Sequence, residues 1–250
     1  MQKITKHELN LVIDIGNNSA KIFLFQGKQI ILHTRRTGEL HSIIKEWGTQ
    51  YSLEKAIVSS VIELGHEQRE AIESLPCHVR WFNNTTNGPL TVNYKTPQTL
   101  GTDRLAAAIG AWSEAEGQNI LVIDAGSAIT IDFIDHNGNY NGGNISPGIK
   151  MRLQALHEFT GKLPLVEKEG DTPFLGYSTE TAIRSGVING ACHEIDGYIN
   201  TMKDKYGDVF VFLTGGDANH LKNSIKSRIF ADKYLVAKGL NRILLEYDNE

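Results

Sequence analysis

Apolar and polar positions first settle into a pattern at Leu11, where "LVIDIG" runs into the alternating "AKIFLFQGKQIILHT". Gln26, Gly27 and Lys28 separate two apolar runs there and read as a tight reversal, which predicts three consecutive antiparallel strands. Leu40, Ile43, Ile44 and Trp47 then fall at helical spacing, "KAIVSSVI" reads as a buried strand, residues 66–75 as a helix and "HVRWF" as a fifth strand. The predicted order is βββαβαβ. A second passage begins the same way: "NILVIDAG", "AITIDFID" and "NYNGGNI" predict three strands, with a turn at "HNGN". "LVIDIG" at Leu11 and "LVIDAG" at Leu121 share five of six residues, 110 positions apart. The order of elements repeats along with the letters.

Helices are expected at about 103–116, 148–160 and 179–204, followed by the strand "DVFVFLTGG", a polar helix and the apolar-periodic "YLVAKGLNRILLEY". This divides the chain into two α/β halves, residues 1–115 and 116–250, joined through the first of those helices. The prolines are scattered and no low-complexity linker separates the halves, so they are expected to pack with a cleft between them, where ligands commonly bind.

Composition narrows the class of function. With 250 residues, 40% of them hydrophobic, the chain can bury a substantial core. A formal net charge of −4 and a pI near 6.1 leave no electrostatic footprint for nucleic acid, and no basic run offers a membrane-surface patch. Cys77 and Cys192 are too few for a disulfide framework, "MQKITKHELN" lacks a signal peptide's apolar centre, and no apolar stretch approaches the roughly 20 residues of a membrane span. The expectation is a cytoplasmic protein whose partners are small molecules or proteins.

The repeated strand end carries the chemistry. An aspartate followed by one residue and glycine sets a carboxylate beside a turn with little side chain, where backbone N–H groups can approach phosphate oxygens. Asp14 and Asp124 cannot hold phosphate without a cation between, but with Mg²⁺ or a monovalent ion they can offset polyphosphate charge. One such turn alone reads better as a plain turn cap; two in matching hairpin contexts favour a nucleotide site. A Walker A loop and a strand-borne GxGxxG are both absent from the sequence. Dispersed histidines without HExxH argue against a zinc enzyme.

"GTDR" at 101–104 opens the small-residue helix and admits two readings. Thr102 can be an N-cap with Asp103 at the positive end of the helix dipole, which needs no catalysis. Alternatively, Asp103 can take a proton from a substrate hydroxyl while Arg104 pairs with a substrate carboxylate. The residues alone favour neither.

DxGN at 14–17, "NY" at 93–94, "GTDR" at 101–104, "DAGSAIT" at 124–130, "GGNISPG" at 142–148, "FTGKLP" at 159–164, "STETAIRSG" at 178–186 and "TGGDA" at 214–218 together resemble the type III pantothenate kinases. The resemblance spans Asp14 to Ala218, and GxDR, two DxG loops and GGxIxPG in this order are its specific part. It implies an α/β, duplicated ribonuclease-H-like (actin-like ATPase) fold: two halves with mixed five-stranded sheets and a central nucleotide cleft. It also implies transfer of the ATP γ-phosphate to the primary hydroxyl of pantothenate, the first step toward coenzyme A. On the same basis Asp103 is the base, and Asp14, Ile15, Gly16, Asn17, Asn18, Ser19, Ala20 and Lys21 form the first ATP loop, with Asp14 near Mg²⁺. Ser127 contacts ATP and Asp124 takes a monovalent cation, K⁺ or NH₄⁺. Tyr94, Gly101, Thr102, Asp103, Arg104 and Thr179 line the pantothenate site, and a homodimer is implied.

Two positions depart from the family pattern. Asn18 stands where Thr or Ser is usual, with Ser19 one place later, and Ser127 replaces the commoner Thr of the second loop. Leu153, Leu156 and Phe159 fit either a subunit boundary or ordinary core, Tyr94 either the site or a strand aromatic, and Thr179 either the site or a helix N-cap. Two other functions compete: a sugar or carboxylate kinase of the same superfamily, and a non-catalytic regulator built on the same fold.

Overall fold

In the computed structural model, which describes residues 9–246 apart from 18, 39 and 87, "LNLVIDI" forms β1 (Leu9–Ile15), buried along nearly its whole length. An unbroken apolar strand of this kind belongs in the middle of a sheet covered on both faces. β1 pairs antiparallel with β2 (Ala20–Gln26), which turns back through Gly27, at φ +55°, into β3 (Gln29–Arg36). On its other side β1 pairs parallel with β4 (Leu53–Ser60), and β4 with β5 (His78–Trp81), giving the mixed five-stranded order β3-β2-β1-β4-β5. Between these strands run α1 (Leu40–Gln50) and α2 (His66–Glu73), and the chain continues through a short strand β6 (Thr91–Val92) and a 3₁₀ turn into α3 (Thr102–Glu114).

Leu11, Ile13, Ile22 and Val58 face α1 and α2, where Ile43, Ile44, Trp47 and Ile72 close one core cluster. The opposite face packs against α3 and α7 (Leu235–Glu246). That face carries Asp14, so its alternation places the carboxylate on the α3 side of the sheet.

The second passage repeats the meander as β7 (Ile120–Ala125), β8 (Ala128–Ile134) and β9 (Asn139–Pro147), followed by α4 (Ile149–Glu158) and α5 (Thr179–Tyr206). β10 (Phe210–Thr214), α6 (Ala218–Leu221) and β11 (Phe230–Ala231) complete it, with strands in the order β11-β10-β7-β8-β9. β10 lies parallel to β7 and β8 antiparallel to it, so this sheet is mixed as well. Leu121, Ile123, Ile129 and Ile131 bury one face against Leu153, Ile183, Val187 and Ile195 of the helices.

The expected elements are present, with three differences. The polar helix after β10 is only the single turn α6, and two-residue β11 is too short to show a period. The chain also divides differently from the boundary at 115/116: one compact unit combines the segment up to Glu114 with the segment from Tyr234, and the other is Ala115–Lys233. α7 joins the first unit because Gly239 and Gly110 let its backbone approach that of α3. A Cβ on Gly239 would lie 1.9 Å from the Ala106 carbonyl oxygen and 2.8 Å from the Gly110 nitrogen. Buried Asn10 of β1 donates to Asn241 Oδ1 at 3.1 Å, and Asn241 donates to the Gly27 carbonyl at 2.8 Å, fixing α7 along the sheet.

Candidate active site

In the first unit one cross-strand row brings together Arg35, Lys21, Asp14 and Ser59, each in register with the next on β3, β2, β1 and β4. Paired residues share a face, so two cations and a carboxylate stand side by side. Lys21 Nζ is 3.7 Å from Asp14 Oδ2, with the carboxylate side chain 13% exposed and the lysine 41%. The turn between the strands is closed by the Gly16 N–H donating to the Ser19 carbonyl at 3.0 Å. Asn17 projects from it into solvent, Asn18 lies outside the described residues, and Ser19 Oγ accepts from Arg35 Nε at 2.9 Å. Ile15 and Ala20 pair across the turn with buried side chains, and the Ile15 carbonyl is taken by Val61 N–H, so these two build the loop from beneath.

Ser59 links this row to α3, donating its hydroxyl to Thr102 Oγ1 at 3.2 Å. Thr102 is the first helical residue, not the cap: the Gly101 carbonyl accepts from Leu105 N–H at 3.2 Å, which puts Gly101 in the cap position. Asp103 Oδ1 folds back to accept from the Arg104 N–H at 2.9 Å, and a Cβ on Gly101 would meet that oxygen at 2.6 Å. A side chain at position 101 would therefore displace the Asp103 carboxylate from this position. Burial raises the Asp14 pKa; Lys21 opposes that shift and the Asp103 charge reinforces it. The two carboxylates therefore sense each other. Arg104 is buried, its guanidinium 5.8 Å from the centre of the Tyr94 ring. Asn84 holds the approach to GTDR, donating to the Pro97 and Leu100 carbonyls.

In the second unit the corresponding row is Ile145, Thr130, Asp124 and Thr214 across β9, β8, β7 and β10. Hydroxyl-bearing neighbours replace the lysine. Three motifs meet backbone to backbone at the end of β7. Gly148 N–H donates to the Ser127 carbonyl at 3.2 Å, and a Cβ on Gly148 would lie 2.2 Å from the Gly126 carbonyl. Gly215, at φ +97°, sits where a Cβ would be 2.4 Å from Asp124 Oδ1, and Asp217 N–H donates to the Ala125 carbonyl at 2.8 Å. Exposed Ser127 borders a concavity of about 280 Å³ that Lys150, Gln154 and Phe159 also line. Thr179 is the exposed first residue of α5, while the cap is Ser178, whose Oγ accepts from Thr181 N–H. Leu153 is core, whereas Phe159 is 85% exposed.

Among the described residues no three His, Cys, Asp or Glu side chains cluster as a ready-made metal site. Single carboxylates fit a different use, in which a hard cation shares its oxygen ligands with a bound phosphate. Gly215 packs against Asp124 Oδ1, and Thr130 and Thr214 stand in register beside it, so the carboxylate and hydroxyl oxygens there are of the donor type a hard cation would share. Burial pushes both thiols up to about 11, which leaves Cys77 and Cys192 protonated and poor nucleophiles at neutral pH. Sequence reasoning missed Arg35 and Ser59, whose roles come from strand register and carry no local signature.

Two α/β units, each opening on a three-stranded meander with an aspartate at the end of its central strand, define the duplicated ribonuclease-H-like fold of the actin-like ATPases. Solved structures agree at the level of fold. A Campylobacter jejuni protein assigned to the Baf family of transcriptional activators superposes with TM-score 0.61 at 24% identity, over 96% of this chain and 100% of that one. Component A of (R)-2-hydroxyglutaryl-CoA dehydratase from Acidaminococcus fermentans gives 0.52 at 14% identity, over 94% and 95%.

The family model for type III pantothenate kinase matches residues 10–201. Type III pantothenate kinases of Bacteroides fragilis (strain YCH46) and Phocaeicola vulgatus are 48% and 47% identical, covering 96% and 94% of this chain and 99% and 98% of their own lengths. The chain belongs to the type III pantothenate kinase family.

Proposed function

We propose that this chain transfers the γ-phosphate of ATP to the primary hydroxyl of pantothenate, forming 4′-phosphopantothenate. The observation that carries the reading is the pairing, in a member of this family, of GTDR at the start of α3 with the Asp14–Lys21 row beside it. Asp103 is assigned as the base that takes the hydroxyl proton, and buried Arg104, with Tyr94 against it, as the partner of the substrate carboxylate. By resemblance to the family, Gly101 and Thr102 are assigned to pantothenate, and so is Thr179. On the same basis the Asp14–Lys21 loop is assigned to ATP, and so is Ser127. In-line transfer of this kind depends on positioning and charge neutralisation more than on covalent chemistry.

Mg²⁺ near Asp14 and a monovalent cation at Asp124 would supply charge neutralisation for the triphosphate. The Asp124 carboxylate, with the hydroxyl-bearing Thr130 and Thr214 in register beside it, supports a hard cation there. We assign a homodimer as well, supported by Phe159, Phe174, Leu175 and Tyr177, which are 85%, 80%, 78% and 75% exposed on the stretch 159–178. A cytoplasmic location fits the two free cysteines, and among the described residues no helix is long and apolar enough to cross a membrane. Nothing in the charge distribution favours nucleic acid.

The test is incubation of the purified protein with MgATP and pantothenate, with K⁺, NH₄⁺ or neither, and mass spectrometry of the products. A product heavier than pantothenate by one phosphoryl group, stimulated by the monovalent ion, is expected. No such product from folded protein, or turnover of a sugar in its place, would overturn the reading.

A further inference from the structure

Residues 159–178 leave α4, cross the second unit without regular secondary structure and enter α5. Their middle is clamped. Arg184 of α5, 4% exposed, donates from Nε to the Glu167 carbonyl at 2.9 Å and from Nη1 to the Asp171 carbonyl at 3.2 Å, and its Nη2 pairs with Glu180. Gly170, at φ +128°, lies against the guanidinium so closely that a Cβ there would be 2.8 Å from Cζ. One buried cation thus fixes the backbone on both sides of Lys168.

Held in this way, Lys168 places Nζ 2.6 Å from Asp217 Oδ1, with the lysine side chain 30% exposed and the carboxylate 13%. Asp217 ends the glycine turn that follows β10. Its N–H bonds the Ala125 carbonyl, and Gly215, two residues earlier, abuts Asp124 Oδ1. A continuous chain of contacts therefore runs from Arg184 through the 167–171 backbone and Lys168 to Asp217, and from there to the loop bearing Asp124 and Ser127.

We infer that Lys168 is a positioning residue for nucleotide binding, acting by neutralising Asp217 and holding the 214–217 turn against the Asp124 loop. This rests on the ATP reading above and adds to it a residue that touches neither substrate. Without the ammonium, a largely buried carboxylate is left without its cation on the turn that packs against the Asp124 loop, where polyphosphate is to bind. The turn then has an electrostatic reason to move away, and bound ATP meets additional negative charge.

The experiment compares wild type with Lys168→Met, Lys168→Arg and the double variant Lys168→Met/Asp217→Asn. MgATP binding is measured by calorimetry without pantothenate, and the KM values for both substrates are measured separately. Thermal melts confirm folding. Lys168→Met is expected to weaken MgATP binding and raise its KM by roughly fivefold. The KM for pantothenate should stay constant, Lys168→Arg should recover most of the loss, and the double variant should bind MgATP better than Lys168→Met alone. Unchanged MgATP affinity in Lys168→Met, equal losses for both substrates, or no recovery in the double variant would each overturn the inference. Wild type that binds MgATP but ignores pantothenate would overturn only the acceptor assignment, whereas wild type that fails to bind MgATP would remove both.

Discussion

Lys21 and Asp14 face each other in register across the first hairpin, ammonium and carboxylate 3.7 Å apart, with Asp103 close enough to raise the Asp14 pKa further. The lysine does not fully compensate the aspartate: burial dominates, and the net shift is upward from the ordinary 3.8. A carboxyl whose folded pKa is raised holds its proton longer in the native state than in the unfolded one. Stability is therefore lost as pH rises from about 3.8 through the folded value, and the deficit persists at neutral pH. Asp14→Asn removes that deficit while keeping the shape. Melting temperature should rise at pH 7–8, by about 2–4 °C for each 1 kcal/mol regained, with the gain vanishing as pH falls toward 4. MgATP turnover should be lost in the same variant. An unchanged or lower melting temperature at neutral pH would show that Lys21 compensates Asp14 completely.

Asp103 and Arg104 are adjacent but are expected to fail differently. Asp103→Asn keeps an acceptor for the Arg104 N–H but cannot take a proton, so kcat should fall by roughly 10²–10⁴-fold with MgATP affinity retained. Arg104→Lys keeps the charge but loses the planar fork and its stacking on Tyr94. Its effect should appear as a pantothenate KM raised about tenfold or more, with a smaller change in kcat. Steady-state kinetics on both substrates separates the two. Equal losses in the same parameter would remove the assignment of distinct roles.

The two aspartate loops differ in what surrounds them, and the difference makes a prediction for Asp124. Asp14 has a lysine beside it, whereas Asp124, to which the monovalent cation is assigned, has Thr130 and Thr214 in register and Gly215 packed against its Oδ1. Asp124→Asn should therefore abolish stimulation by K⁺ or NH₄⁺ and leave the variant at the rate wild type shows without a monovalent ion. The ATP KM should rise more than that of pantothenate. Titrating each ion against initial rate tests this, and retained stimulation would place the monovalent ion elsewhere.

Much of this arrangement was legible in the sequence because strand period and a repeated hexamer depend on near neighbours only. "LVIDIG" and "LVIDAG" foretold two buried strands with carboxylates at their ends, each opening a meander, and both occur so. What escaped notice depends on partners remote in sequence. Ser59 meets Thr102 across 43 positions and Lys168 meets Asp217 across 49, and nothing near any of these residues marks the pairing. α7 was foreseen as a helix, but amphipathic periodicity shows that a helix buries one face without saying against which sheet. The glycines that decide the matter, Gly110 and Gly239, read in sequence as mild defects in two helices.

Those glycines give the last prediction, because the same substitution should have opposite signs at two sites. In an exposed helix interior, Gly→Ala is stabilising by about 0.5–1 kcal/mol, since alanine loses less backbone entropy on folding. Gly197 of α5 is such a site, exposed and with nothing beyond its own helix backbone and chain neighbours within 4 Å of an added Cβ. At Gly239 the added carbon would lie 1.9 Å from the Ala106 carbonyl oxygen, so α3 and α7 must separate along their whole contact. Backbone cannot yield as a side-chain tip can, and the expected cost of overpacking, about 1–3 kcal/mol or more, exceeds the propensity gain. Moving α7 would also strain the Asn10–Asn241 bond and leave two buried amides short of partners. Denaturant titration of Gly197→Ala and Gly239→Ala should thus shift the midpoint up in the first and down in the second. A neutral or stabilising Gly239→Ala would mean that α3 and α7 do not meet backbone to backbone, and the assignment of the C-terminal helix to the first unit would lose its physical basis.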